Sequence, residues 1–270
     1  MPPLDVDATV LANQRLSRDY NVLTLSAPDV GARTVAGQFV MVRPEGMTDT
    51  LLRRPFSVFE VIRDASGEPT AISILNKRAG RTTNRLYEAE PGERIACLGP
   101  LGRPYTPVAA PTEAWMVAGG VGLAPFATLA EALVTAGTPA TLFYGARSDQ
   151  ELFHLDFFER LGVSLVLTTE DGSRGERGRV TAPLDRALAG RRPGSTMVYA
   201  CGPEPMLAAV AAVAARHGQP SEVSVERTMG CGLGGCYSCV IKVKHGTGAP
   251  HFVRSCISGP VFDGAEIVWD

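Results

Sequence analysis

Four cysteines fall in the last 40 residues, three of them within nine positions: Cys231-x4-Cys236-x2-Cys239, then sixteen residues to Cys256. Thiolates at C-x4-C-x2-C with a distant fourth cysteine are the ligand pattern of plant-type [2Fe–2S] proteins. The glycines among them, at 230, 232, 234 and 235, let a backbone bend around a cluster and turn N–H groups toward its sulfurs. A four-cysteine zinc site is the competing reading, and it normally draws on two hairpin-like C-x2–4-C pairs. Here three ligands crowd one loop and only one comes from afar, which favours the cluster. Cys97 and Cys201 lie elsewhere and fit neither set.

Three further stretches could hold a nucleotide. In Leu51-Leu52-Arg53-Arg54-Pro55-Phe56-Ser57, Arg54 could pair bidentately with a pyrophosphate, Phe56 could lie against a flat ring, and Ser57 could hydrogen-bond a ring nitrogen. Taken alone it is also what a surface arginine at a strand start looks like. Ala118-Gly119-Gly120-Val121-Gly122-Leu123-Ala124-Pro125 stands between a strand-like and a helix-like run, where small residues let backbone approach a phosphate. It is not a strict G-x-G-x-x-G, and a tight turn without a ligand would read the same way. Tyr199-Ala200-Cys201-Gly202-Pro203 ends another strand-like run, and ligands of open α/β sheets sit at the carboxyl ends of strands. Together the three favour a ligand over packing.

These residues need elements to place them. The first hundred residues read as short strands at Tyr20–Leu25, Gln38–Val42, Ser57–Ile62 and Ala71–Leu75, with Gly/Pro turns between them and one helix over Thr82–Glu88. That is the texture of an antiparallel barrel. From Trp115 onward strand-like runs at 115–118, 141–144, 164–167 and 196–199 alternate with helical patterns at 126–136, 152–160, 180–188 and 206–215, which implies a parallel sheet covered by helices. The expected plan is a barrel over 1–107, a nucleotide-type α/β domain over 108–222 and a small metal module over 223–270.

Composition is that of an ordinary globular protein, neither disordered nor collagen-like nor a coiled coil. Hydrophobic residues make up 45 % and charged residues 20 %. With 26 Lys+Arg against 28 Asp+Glu the net charge is −2, so no basic excess exists to hold a nucleic-acid backbone. The start has no basic region followed by an apolar run, so a secretory signal is not expected. The uncharged stretch 114–130 contains three glycines and a proline, and reads as a buried strand–turn–helix rather than a membrane span. The four histidines, His154, His217, His245 and His251, show no ligand spacing.

In this order the elements resemble the ferredoxin-reductase superfamily, and more closely the electron-transfer subunits of NAD-dependent class B dihydroorotate dehydrogenase. The resemblance runs from about Leu11 to Asp270 and is most specific over Glu226–Val240. It implies a ferredoxin-reductase-like fold: an FAD-binding antiparallel β-barrel, a parallel-sheet NAD-binding domain, and a C-terminal [2Fe–2S] module with ligands Cys231, Cys236, Cys239 and Cys256. It places flavin contacts at Arg54, Pro55, Phe56 and Ser57, and at Leu75, Asn76 and Lys77, where many relatives carry Tyr-Arg at the last two. A Gly-Thr pair of the family falls on Thr82 and Thr83. The NAD side maps to Gly119, Gly120, Gly122 and Pro125 and to Cys201, Gly202 and Pro203.

The implied activity is a relay in pyrimidine biosynthesis. A separate FMN-containing catalytic subunit oxidises dihydroorotate, and electrons cross the [2Fe–2S] centre to FAD and then NAD+. The resemblance further implies a cytoplasmic heterotetramer, and this chain is expected to carry no acid/base catalyst. Two alternatives stay open: a reductase subunit of another redox complex, such as a hydrogenase or bifurcating transhydrogenase, and a zinc-stabilised binding module without redox activity. Arg147-Ser148 follows a strand where selection against a 2′-phosphate could be made; Glu170-Asp171-Gly172 could lie near the same edge, but a solvated turn is the favoured reading.

Overall fold

Alternation in the amino-terminal hundred residues folds into seven antiparallel strands. A computed structural model describes residues 2–47 and 50–269. The strands are β1 (Leu4–Arg15), β2 (Tyr20–Ser26), β3 (Phe39–Pro44), β4 (Arg54–Ser57), β5 (Glu60–Arg63), β6 (Pro69–Lys77) and β7 (Arg94–Leu101), in the order β4-β3-β7-β1-β2-β6-β5. Helices α1 (Pro28–Arg33) and α2 (Arg81–Tyr87) pack on them. β1 is absent from the sequence reading. Its alternation slips at a bulge between Val10 and Ala12, where Leu11 turns out to solvent.

The single strand expected over 57–62 is broken in two. Val58 and Phe59 are adjacent and both buried, which a half-buried strand cannot accommodate. The Val58 N–H donates to the Gln38 carbonyl, and the Phe59 N–H donates to that of Ser73. At this corner the chain leaves β3 and joins β6, so the two edges of the sheet are consecutive in sequence and the barrel curls round on itself.

The second half builds a parallel sheet from β8 (Glu113–Gly119), β9 (Ala140–Ala146), β10 (Ser164–Thr169), β11 (Glu176–Arg177), β12 (Thr196–Cys201) and β13 (Ser221–Ser224). Its helices are α3 (Phe126–Thr135), α4 (Leu155–Arg160), α5 (Thr181–Leu188) and α6 (Glu204–Arg216). The helix read from Leu152 starts later, because His154 sits in the left-handed region at φ 55° and breaks the turn before it.

The cysteine-bearing tail contributes β14 (Val240–Val243), β15 (His251–Arg254), α7 (Ser255–Ser258) and β16 (Val261–Asp263). β14 and β15 form a hairpin, whereas β16 pairs antiparallel with β13 at the edge of the parallel sheet, in the order β11-β10-β9-β8-β12-β13-β16. The tail is therefore stitched into the α/β domain. Barrel and α/β domain also share one apolar core, in which Phe59, Leu75 and Tyr105 meet Met116, Phe126 and Tyr144. Burial on this scale, at roughly 25 cal/mol per Å2, holds the two units as one surface around the clefts between them.

Candidate electron-transfer site

Two clefts open where the three parts meet. One, of about 570 Å3, lies between the barrel, β12 and the segment leading into the cysteine loop. Arg54, Pro55, Phe56 and Ser57 of β4 form one wall, with Leu75 and Lys77 from β6 and Thr83 from α2. Cys201, Ser224 and residues 225–229 form the other. Arg54 donates only to the carbonyls of Leu52 and Arg53, at 3.0 and 3.3 Å, and has no acidic partner among the described residues. A guanidinium so placed can take a pyrophosphate.

Strand alternation separates the neighbours on β6. Leu75 and Lys77 face the cleft, while Asn76 turns into the barrel. There Asn76 donates to Asn21 Oδ1 at 2.7 Å and to the Thr83 carbonyl at 2.9 Å, and Asn21 passes the chain on to Asn13. Thr82 is buried and lines neither cleft. Thr83 Oγ1 accepts from the Ala79 and Gly80 N–H groups, which shapes the loop that forms the cleft's rim.

The second cleft, about 510 Å3, runs over the carboxyl ends of β8, β9, β10 and β12. Gly119, Gly120 and Pro203 line it; Gly122, Pro125 and Gly202 stand behind it. At Gly122 a Cβ would meet the Cys201 carbonyl oxygen at 2.1 Å, so only glycine lets the turn approach β12. Pro125 heads α3, and Gly202 packs on Met206 and Gly119. Cys201 is buried, which pushes its thiol well above the usual range and keeps it a neutral packing group.

The clefts meet at Val121, Lys77 and Glu226, which line both. The apolar walls raise the Glu226 carboxyl above its ordinary range, against the pull of Lys77. Lys77 also lies over the Tyr20 ring at 5.0 Å. No local motif marks Glu226 or Tyr20 as a site residue; the one available signal is the position of Glu226 just beyond a strand end.

The cysteine loop closes the far side of the first cleft. Cys239 and Cys256 are buried in a small core with Phe39, Met41, Leu98, Leu101 and Met229 from the barrel and the loop's approach. Cys231 is half-buried and Cys236 exposed. Cys231 acts on the titration of both Cys236 and Cys256, so the four thiols share one electrostatic neighbourhood. Burial and the neighbouring Cys239 push Cys256 up to about 12. Hydrogen bonding from Ser238 brings Cys236 down to about 6. The Leu233 N–H donates to Cys231 Sγ at 3.3 Å. Gly232, at φ 71°, passes so close to Met41 that a Cβ would meet its Cγ at 2.7 Å. No three His, Cys, Asp or Glu side chains among the described residues close around one ion. All four cysteines are free thiols, and their C-x4-C-x2-C spacing with a distant fourth suits a two-iron cluster better than the paired C-x2–4-C pattern of a zinc site.

Phe39 and Met229 belong both to this small core and to the wall of the first cleft. Part of the first cleft's wall is thus also part of the packing around Cys239 and Cys256.

A barrel, a parallel-sheet domain and a four-cysteine loop around two joined clefts define a flavin- and iron–sulfur-containing, NAD-linked oxidoreductase. Residues 7–113 match the oxidoreductase FAD-binding domain, 116–212 the oxidoreductase NAD-binding domain, and 226–268 the iron–sulfur cluster binding domain of dihydroorotate dehydrogenase B. The chain belongs to the family of dihydroorotate dehydrogenase B (NAD+) electron transfer subunits. It is 34 % identical to the member from Desulforamulus reducens over 98 % of both chains, and 36 % identical to that of Geobacillus kaustophilus over 96 % of both. Among solved structures it resembles an NADH-dependent reduced ferredoxin–NADP oxidoreductase, with a TM-score of 0.85, 28 % identity and coverage of 98 % of this chain and 90 % of that one. A ferredoxin reductase of carbazole 1,9a-dioxygenase shares the fold at a TM-score of 0.70 and 23 % identity, over 81 % and 67 % of the two chains.

Proposed function

We propose that this chain is the electron-transfer subunit of an NAD-dependent dihydroorotate dehydrogenase, in which electrons from the FMN of a catalytic subunit pass through a [2Fe–2S] cluster to FAD and on to NAD+. The cluster supplies one-electron chemistry, and the flavin converts single electrons into a hydride pair. The observation that carries the reading is the wall shared by the first cleft and the cysteine core, Phe39 and Met229.

The chain's own residues do the positioning. Arg54 holds the flavin's pyrophosphate, Phe56 and Leu75 bound its ring site, and Ser57 offers a hydroxyl to a ring nitrogen. Cys231, Cys236, Cys239 and Cys256 hold the irons. The turn at 119–120 receives the dinucleotide's phosphates, and the nicotinamide enters where Val121, Lys77 and Glu226 join the clefts. No side chain is required to move a proton to or from a substrate carbon, and dihydroorotate is oxidised on the partner.

The partner's landing surface is the exposed side of the cysteine loop. Leu233 and Tyr237 of the loop, and Ile257 beside Gly234, expose apolar side chains, and Cys236 is itself exposed. Exposed apolar groups on such a loop mark an interaction site, and the residues that would hold the irons lie on the same loop. We further propose two copies of each subunit in a cytoplasmic heterotetramer. No described helix is long and apolar enough to cross a membrane.

The test is anaerobic co-expression with the FMN-containing catalytic subunit. The expected result is a complex holding two irons and one FAD per copy of this chain, forming orotate from dihydroorotate with NAD+. Stable iron and FAD without stimulation of orotate formation would instead favour service to another redox complex. The likeness to the NADH-dependent ferredoxin–NADP oxidoreductase supports that second reading.

A further inference from the structure

The cysteine loop is pinned from one side by a cation that the electron relay does not use. Arg254 ends β15, two residues before Cys256. Its Nη1 donates to the Gly234 carbonyl at 2.7 Å. Its guanidinium carbon lies over the Tyr237 ring, 4.8 Å from the centroid. Gly234 stands between the first and second cysteines, and Tyr237 between the second and third. One side chain therefore ties the segment bearing three of the thiols to the strand that leads into the fourth. The guanidinium has no carboxylate partner among the described residues, and Arg254 lines neither cleft.

Both contacts fall where the backbone is left-handed, with Gly234 at φ 77° and Tyr237 at φ 59°. A glycine adopts that region freely, whereas a tyrosine there is held against its own preference. A Cβ at Gly234 would come within 2.9 Å of Ile257 Cγ1 and 3.3 Å of Arg254 Nη1, so the loop passes close against this strand end. The backbone repeats the tie. Val240 pairs with Arg254, and the Ser255 N–H donates to the Cys239 carbonyl at 2.9 Å.

What the grip holds is a pair of donors. The Leu233 N–H donates to Cys231 Sγ at 3.3 Å, and the Gly234 N–H, next along, to the Cys256 thiol. With the Gly234 carbonyl held by Arg254, the left-handed turn that aims these two N–H groups is fixed. Hydrogen bonds to the sulfurs of an iron–sulfur centre help set its reduction potential. Reduction adds an electron, so N–H dipoles directed at sulfur favour the reduced state.

We propose that Arg254 is a positioning residue for the [2Fe–2S] centre: by gripping Gly234 and Tyr237 it holds the loop's N–H groups on the thiolate sulfurs and so raises the potential at which the cluster accepts an electron. The task needs a guanidinium, because an ammonium that meets the carbonyl cannot also lie flat on the ring. The inference rests on the proposed cysteine ligand set and on nothing in the dinucleotide cleft.

Redox titration of the anaerobically purified holoprotein tests it, with the electron paramagnetic resonance signal of the reduced cluster as the readout. Arg254→Gln should keep its iron and FAD but lower the cluster's potential by about 59 mV, a tenfold shift in its reduced-to-oxidised ratio. The FAD potential should hold, because Arg254 stands outside both clefts. Arg254→Lys should recover less than half of the shift, since charge without the fork does not hold the loop. A shift smaller than twofold in that ratio in Arg254→Gln overturns the proposal. An equal fall in the FAD potential overturns it too, as a general loosening, and so does recovery of half or more by lysine, as the work of a point charge. If Arg254→Gln takes up no iron, Tyr237→Asn carries the test. Asparagine tolerates the left-handed backbone, only the ring is lost, and the potential should again fall; an unchanged potential there overturns the proposal. A wild type that holds zinc, or no metal after reconstitution, instead brings down the ligand set on which the inference rests.

Discussion

Arg227 grips both carboxylate oxygens of Glu204, Nη1 to Oε2 at 2.7 Å and Nη2 to Oε1 at 2.9 Å. Glu204 opens α6, whose next residues, Pro205 and Met206, form a wall of the dinucleotide cleft. Arg227 lines the flavin cleft four residues before the first cysteine, and its buried Nε has no partner. One fork-shaped pair thus fixes the approach to the cysteine loop against the nucleotide-binding half. The acid in the first turn of α6 also favours the helix dipole.

Breaking that pair should loosen the loop more than the fold. The two side chains are 27 % and 42 % exposed, so solvent screens part of the attraction, and a bidentate pair of this kind contributes about 1 kcal/mol. Arg227→Ala should lower the melting temperature by about 2–4 °C. Arg227→Lys should recover little, because an ammonium cannot span both oxygens. A double-mutant cycle with Glu204→Gln measures the coupling, and additive effects would show that the pair is not a clamp.

Cys256→Ser should abolish the iron chromophore and leave FAD absorbance in place. Cys256 lies in the small core with Cys239 but lines neither cleft, so its loss removes a ligand without opening the flavin wall. Iron content and visible spectra of anaerobically purified protein check this. A full-intensity iron spectrum in the variant would remove Cys256 from the ligand set.

Arg54→Ala should weaken FAD retention by about ten- to a hundredfold, the equivalent of losing a charge-assisted partner of about 1.5–3 kcal/mol. Because Arg54 is bonded only to two carbonyls of its own segment, the substitution disturbs little else. Dilution of the purified holoprotein, followed by flavin fluorescence, reads the loss. Unchanged retention would mean that the pyrophosphate lies elsewhere.

What the sequence disclosed divides along physical lines. The cysteine spacing, the strand–helix alternation and the turn at 119–125 are local patterns; the alternation folds as the expected parallel sheet, and Gly119 and Gly120 of the turn line the second cleft. What escaped depends on contacts distant in sequence. Nothing local shows that β16 leaves the cysteine module to pair with β13, since an edge strand of three residues has almost no pattern of its own. The corner at Val58–Phe59 reads as continuous strand until β3 and β6 compete for it. Asn76 and Lys77 are adjacent in the family's flavin stretch, and only the pleat sends one into the barrel and the other to the cleft. Glu226 is an ordinary acid until the strand ends around it converge.

His154 supplies a pH test of the contact between the barrel and the α/β domain. Its ring meets Phe59 edge-on at 4.9 Å, and its Nε2 is buried without a partner. Burial lowers its pKa below the ordinary 6.5, outweighing the pull of Glu60 and Asp156. The unfolded chain therefore binds more protons than the folded one between the folded value and about 6.5, and stability rises with pH across that window. Its contribution is fully present above about 6.5 and is lost as pH falls through the folded value. His154→Asn tolerates the left-handed backbone and removes the proton site. The variant should be less stable than wild type at pH 7.5, where the Phe59 contact is lost. That gap should narrow at pH 5.5, where wild type must bury a charge or unfold. Melting curves at the two pH values read the difference, and parallel losses in the two proteins would show that His154 does not titrate with folding.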